Sequence, residues 1–379
     1  MKKTVSKKIL AALLASAMVL SFTACGSAAQ PETNTSKTES VAQSANTKTV
    51  TDRQGRTVEI PETVERIVPL GNAPRLLTYL GLDEKFVGLP ECEHAENPIM
   101  AYAYVNKDEW ANLPNVGTDS LGAGEWYAEE IIACKPDVII TTYTPDIADD
   151  IQRQTGIPVL SFSGNSTLFS DDYNKDLQFL GDSLGVSERA KELVDCITKT
   201  TADVQARTEN VPDEKKPTVL GAGATFKGSH SIDGIYVKYP VFNLLHANDV
   251  AKNVQGNMGV LVDKEQILNW NPDMIFFDAG SMEMVNEDYK KDKNYFESLK
   301  AVQEGKLYQW PNSTYHYSNV EIPLVSLYYV GQFLYPEEFK DINFEEKASE
   351  IFNTFLGEPD YLNILKDAGA GYGSVTLGN

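Results

Sequence analysis

Histidine and cysteine are both scarce in this chain of 379 residues, four of each. His94, His230, His246 and His316 are scattered, and Cys25, Cys92, Cys134 and Cys196 contain no CxxC pair, so a metal site built by the protein alone lacks its usual spacing. Catalytic signatures are also missing. There is no GxSxG turn, no HExxH helix and no Walker A loop. Gly221-Ala222-Gly223 follows an apolar run, but the third glycine and the helix of a dinucleotide fold are absent, so it reads as a tight turn at a strand end. Basic charge is short too: 33 Lys and Arg against 54 Asp and Glu give a formal charge of −21, which argues against a nucleic-acid partner. Such acidity is more often a solubility feature than a binding site.

What is present begins with an address. Lys2, Lys3, Lys7 and Lys8 precede the apolar run Ile9 to Leu20. Those twelve residues would rise only about 18 Å as a helix, too little for a hydrocarbon core of ~30 Å, so residues 1–24 read as a cleavable signal segment. Phe22-Thr23-Ala24-Cys25 resembles a bacterial lipobox, with Phe where Leu is usual; the resemblance implies a lipid on Cys25. Ordinary cleavage with release is the alternative. Removing the signal takes four lysines and no acids, deepening the charge to −25. Residues 25–48 are mostly Ser, Thr, Asn, Gln and Ala and read as a flexible tether. Cys134, within Ile131-Ile132-Ala133-Cys134, and Cys196, on the helical face of Leu193 and Ile197, read as small buried hydrophobes. A Cys92–Cys134 disulfide stays open in an exported protein.

From Thr49 onward, short β-rich runs alternate with amphipathic segments. Strands are expected at 66–70, 86–89, 137–142 and 157–162, with helices at 74–80, 128–134 and 146–154, a βαβ order that predicts a largely parallel sheet. Between 171 and 210 the strand signal vanishes, and Leu177, Leu180 and Leu184, then Ala190, Leu193, Val194 and Ile197, recur at helical spacing. Gly185-Val186-Ser187 marks one helix ending and another being capped. Strands resume at 217–223, 273–278 and 306–310, and the tail 320–367 is helical, punctuated by Pro336 and Pro359. An internal echo links the halves: Lys135-Pro136-Asp137-Val138-Ile139 and Asn271-Pro272-Asp273-Met274-Ile275 each end a helix, turn, and start a buried strand.

The order of several segments resembles the class III solute-binding proteins of ABC importers, those for ferric siderophores, cobalamin and haem. Thr51-Asp52 through Gly55-Arg56, Ile60-Pro61 and Glu65-Arg66-Ile67-Val68 resemble the family's opening. Leu80-Gly81-Leu82, Val87-Gly88, Glu129 to Asp137, Glu265-Gln266-Ile267-Leu268 with Asn271-Pro272-Asp273, and Ala301-Val302 with Gly305-Lys306-Leu307-Tyr308 continue it, over about Thr49 to Gly357. The resemblance implies an α/β fold of two Rossmann-like lobes, 49–170 and 211–379, joined by one long helix within 171–210, with the ligand in the cleft between them. Strand ends are where open α/β sheets bind in general.

The resemblance also implies that Glu129 and Glu265, one on each lobe, dock to arginines of a permease; the plainer reading is two solvated helix carboxylates, and their matching places favour docking. Ligand contacts are expected just after strand ends: Asn72, Arg75 and Tyr143 in the first half, then Phe226, Lys227, His230, Ala279, Gly280 and the cluster Tyr315, His316, Tyr317. Tyr315 and Tyr317 read equally well as packing residues. His316 reads as a hydrogen-bond donor more readily than as a metal ligand. With only Arg75 and Lys227 as clear cations, a chelate of low charge is expected before a catecholate.

The expectation is therefore a non-enzymatic lipoprotein outside the cytoplasmic membrane that captures an iron chelate. A corrinoid or haem is the alternative cargo. No resident cofactor is implied. Its partners would be an ABC permease dimer with its ATPase subunits, the chelate, and the membrane through the lipid, with the chain itself a monomer. A sensor lipoprotein that never delivers, or a surface enzyme on a nitrogenase-like two-lobed scaffold, are the rivals.

Overall fold

The computed structural model describes residues 46–94, 96–118, 125–164, 167–314 and 318–378. The signal segment, Cys25 and nearly all of the 25–48 tether lie outside the described residues, as do Tyr315, His316 and Tyr317.

A hairpin of β1 (Thr47–Thr51) and β2 (Thr57–Pro61) comes first, paired from Thr47↔Pro61 to Thr51↔Thr57. Neither strand is among those expected from the sequence. Gly55 turns the tip at φ +85°, and the Asp52 carboxylate accepts the amides of Gln54 at 3.0 Å and Arg56 at 2.8 Å. Asp52 also accepts the Ser161 amide, and Arg56 donates to the Val159 carbonyl, so the Thr51–Arg56 motif fastens the hairpin to the edge of the next sheet.

That sheet is parallel throughout, in the order β3 (Ile67–Leu70), β4 (Val138–Thr141), β5 (Val159–Ser161). All of its residues are buried, which is why they read as continuous apolar runs. Helices Ala73–Tyr79, Ala128–Cys134 and Pro145–Thr155 follow or connect its strands, the last opened by Pro145 and closed by Gly156 at φ +71°. The strand expected at 86–89 does not form. Phe86 makes one bridge to Ile67 and Leu89 one to Asn115, because a 3-10 turn ends at Lys85 and Pro90 offers no amide, leaving too little chain for a ladder.

Helices Asp171–Leu184 and Ser187–Thr208 carry the chain to the second half, broken at Gly185 with φ +81°. The longer spans about 33 Å. Ser187 is its first residue and not its cap; the hydroxyl donates instead to Asp182 at 2.6 Å.

The second sheet is mixed. Its strands are β6 (Thr218–Ala222), β7 (Gly234–Val237), β8 (Asn248–Asp249), β9 (Met258–Leu261), β10 (Met274–Asp278), β11 (Leu307–Trp310) and β12 (Gly373–Ser374), in the order β12-β11-β10-β6-β7-β9 with β8 also beside β6. The pairs β6–β10 and β10–β11 are parallel; β7, β9 and β12 run antiparallel to their neighbours. Helix Glu321–Leu334 is apolar nearly all round and correspondingly buried. Helices Phe344–Leu356 and Tyr361–Asp367 return to the first half: Phe355 meets the Tyr79 ring edge-on at 5.2 Å, and Tyr361 O–H donates to the Pro98 carbonyl at 2.6 Å. Cys134 is buried, and Cys92 and Cys196 are partly so.

Candidate functional site

In the first half three strands end side by side. Gly71 and Gly164 both take left-handed φ, and a Cβ on either would fall within 2.5 Å of the Thr142 side chain, so the turns after β3 and β5 close tightly on the turn after β4. The Asn72 amide donates to Thr142 Oγ1 at 3.0 Å and its side chain donates to the Gly164 carbonyl at 3.2 Å. Arg75 follows one turn on. Its guanidinium donates to Asn72 Oδ1 and to Asn319 Oδ1, and lies over the Tyr102 ring at 4.6 Å. Tyr143 packs beside Trp126, ring centroids 6.5 Å apart. Asn72 and Arg75 are thus brought together while Tyr143 packs with Trp126, and all three are buried: Asn72 at 6%, Arg75 at 0% and Tyr143 at 3% exposure.

In the second half, β6 runs into a loop that folds back on itself. Gly223 makes the turn at φ +66°, where a Cβ would crowd the Ser281 side chain at 3.3 Å. Lys227 sits at φ +51° and is exposed. The Phe226 and His230 rings lie 4.2 Å apart at a tilt of 33°, and His230 Nε2 bonds the Phe226 carbonyl at 2.9 Å, so the imidazole is engaged within its own loop. Behind Phe226 lies Gly259 of β9, where a Cβ would come within 2.3 Å of the ring.

Asp278 ends β10 and is not among the residues expected from the sequence. It is fully buried, and accepts from Tyr236 O–H at 2.6 Å, the Gly280 amide at 2.9 Å and Thr225 Oγ1 at 3.2 Å. Burial pushes its carboxyl up to about 6, with those three hydrogen bonds pulling the other way. The signal was there: one acid closing the otherwise apolar run Met-Ile-Phe-Phe-Asp. After β11, Ser313 accepts the Asn319 amide on its carbonyl, and its hydroxyl lies 3.2 Å from Tyr239 Oη. Among the described residues no three His, Cys, Asp or Glu side chains converge as a metal site.

Glu129 and Glu265 are exposed, and each lies in the first turn of a seven-residue helix. Both helices end on a left-handed residue, Lys135 at φ +49° and Asn271 at φ +40°. Both are followed by Pro-Asp. Asp137 Oδ2 accepts the amides of Glu65 at 2.8 Å and Arg66 at 2.9 Å, at the start of β3. Asp273 Oδ2 accepts the Thr218 amide at 2.7 Å and hydroxyl at 2.8 Å, at the start of β6. The echo seen in sequence is the same device in both halves: an aspartate that staples the start of its own strand to the start of the parallel strand beside it.

A family model described as periplasmic binding protein matches residues 94–314. The uncharacterized ABC transporter substrate-binding lipoprotein YvrC of Bacillus subtilis is 23% identical over 338 residues, covering 88% of this chain and 98% of that protein. A periplasmic solute binding protein from Veillonella parvula matches with a TM-score of 0.65 at 23% identity, covering 82% of this chain and 93% of that one. The molybdate periplasmic binding protein MolA of Haemophilus influenzae, solved with molybdate bound, matches at 0.62 and 18% identity over 82% of this chain and 98% of that one. At these identities the solved structures speak to fold alone, and the fold they share is the two-lobed α/β architecture. The chain belongs to the periplasmic binding protein family, the solute-binding proteins of ABC importers, and is a binding protein rather than an enzyme.

Proposed function

We propose that this protein is a lipid-anchored carrier, held to the outer face of the cytoplasmic membrane through Cys25 and the 25–48 tether, that captures an iron chelate and hands it to a permease dimer with its ATPase subunits. The lobes would be 49–170 and 211–379, joined through 171–210. Capture falls to the strand ends that carry Asn72, Arg75 and Tyr143 in one half and Phe226, Lys227 and His230 in the other, with Tyr315, His316 and Tyr317, outside the described residues, as further candidates. Delivery falls to Glu129 and Glu265.

The observation that carries this reading is the duplicated helix–Pro–Asp–strand unit. It holds an exposed glutamate at the same place in each half, as a partner with two like subunits requires. For the cargo, the support is charge. Arg75 is buried and bonded to two asparagines, which leaves Lys227 as the exposed cation among the described candidates. A chelate of low charge, hydroxamate-like, suits that better than a polyanionic one. The neighbouring Phe226 and His230 rings also suit a flat macrocycle, so a corrinoid or haem is the second reading.

Tryptophan fluorescence of the mature protein, titrated with ferric hydroxamates, ferric catecholates, cobalamin and haem, tests the cargo. Trp126 beside Tyr143 and Trp310 at the end of β11 are the reporters nearest the strand ends. Saturable quenching by a ferric hydroxamate is the expected result. A Soret-type band with saturable haem quenching selects the macrocycle, and silence from the whole panel overturns the chelate reading.

A further inference from the structure

Four large apolar side chains stand exposed among the described residues: Ile132, Leu261, Leu268 and Met284. Two of them occupy matching places in the duplicated unit. In Glu129-Glu130-Ile131-Ile132 the third residue is buried and the fourth is 46% exposed; in Glu265-Gln266-Ile267-Leu268 the third is again buried and the fourth is 37% exposed. Ile131 and Ile267 belong to separate apolar cores, which fixes the rotation of each helix. Ile132 and Leu268 therefore stay outward for as long as their neighbours stay inward. Three positions apart on a helix, glutamate and aliphatic share a face. A single exposed aliphatic calls for no explanation. An acid-plus-aliphatic pair made twice, at places related by the internal repeat, does.

We propose that Ile132 and Leu268 are the apolar anchors of the docking face, each seated in an apolar recess of one membrane subunit beside the cation that meets Glu129 or Glu265. The proposal rests on the docking reading above and extends it from charge to contact. Two like patches call for a partner that presents the same surface twice, and an acid beside an aliphatic calls for a cation beside an apolar recess. The physical need is water exclusion. An exposed ion pair is worth little, whereas one ringed by buried aliphatic surface is protected from solvent and holds more strongly.

The test places a photo-crosslinking phenylalanine derivative in turn at positions 130, 132, 266, 268 and 284 of the full-length protein, in cells that make the importer. Adducts from 132 and 268 with the membrane subunits, and none from 284, are expected. Silence from 132 or 268 overturns the anchors. If 130 and 266 still react, the acid docking survives that loss; if all four are silent, or give adducts only with a second copy of this chain, both readings fall. With the importer in nanodiscs, Ile132→Ser and Leu268→Ser should each weaken association on the order of tenfold. Met284→Ser should leave it unchanged. Thermal midpoints of all three should match the parent because these side chains are already exposed. Unaltered association of the two serine variants is the second result that overturns the proposal.

Discussion

Arg75 Nε donates to Asn319 Oδ1 at 3.0 Å, across 244 positions of the chain. The bond ties the first helix of the first half to the segment that opens helix Glu321–Leu334, and both residues are fully buried. Burial opposes the charge on Arg75, yet Tyr102, Tyr79, Glu93 and Glu321 outweigh it and hold the guanidinium's pKa above its ordinary value. Burial likewise raises the Glu321 carboxyl, against the pull of the Tyr79 hydroxyl, its own backbone and Arg75. A guanidinium and a buried carboxyl group are thus packed together where the returning chain end meets the first half.

Arg75→Ala removes the cation and leaves those carboxylates buried without it. The expected loss is roughly 3–5 kcal/mol, the usual result of breaking one partner from a buried ionic group, read as a lower urea midpoint. Arg75→Lys should recover only part, since an ammonium cannot fork between Asn72 and Asn319. A urea midpoint unchanged in Arg75→Ala would contradict this account.

Asp278 makes stability depend on pH. Its folded pKa of about 6 lies above the ordinary 3.8, so between those values the native state holds a proton that the unfolded chain has released. Stability should therefore fall as pH rises from about 4 to about 6, by on the order of 3 kcal/mol at most, and then level off. Asp249, raised by burial to about 6 against the Ala251 amide and Lys252, adds a slope of the same sign. Asp278→Asn keeps an acceptor for Tyr236 but has no proton to release. Chemical unfolding at half-unit pH steps should show roughly half the slope remaining; an identical slope would mean that Asp278 ionises as freely in the fold as outside it.

The two strand staples should cost unequal amounts. Asp137→Ala frees the Glu65 and Arg66 amides, which water can reach, and about 1 kcal/mol is expected. Asp273→Ala frees the amide and hydroxyl of Thr218 in a less open place, and also the Lys300 ammonium. Its loss should be nearer 2–3 kcal/mol. Lying in different sheets, the two losses should add in the double variant. Denaturant titration of the three proteins checks both statements.

The strands these aspartates join were legible because β3, β4, β6 and β10 are buried apolar runs, two of them announced by Pro-Asp. Others left little trace. The strands β8 and β12 are two residues long, and β9, Met-Gly-Val-Leu, is half exposed at a sheet edge. Arg75 was singled out by its place after a strand, but its burial was not foreseeable, since Asn319 and Glu321 reach it only through the fold. Asp278 went unnoticed because an acid ending a strand looks like a solvated turn until Tyr236 closes over it.

Reversing the charge of both proposed docking residues separates carrier from sensor. Glu129→Arg and Glu265→Arg lie on exposed helix turns, away from the strand ends, so folding and fluorescence titration with the quenching chelate should be unchanged. Uptake of that chelate by cells should fall to background, because each variant now sets a cation against the permease cation that the carboxylate would have met, a repulsion worth several kcal/mol at a closed interface. The single reversals should fall between, since one intact half still engages. Binding that survives together with uptake that survives would mean that Glu129 and Glu265 are ordinary solvated carboxylates. Uptake absent even in the parent, with binding intact, would describe a protein that senses its ligand and never hands it on.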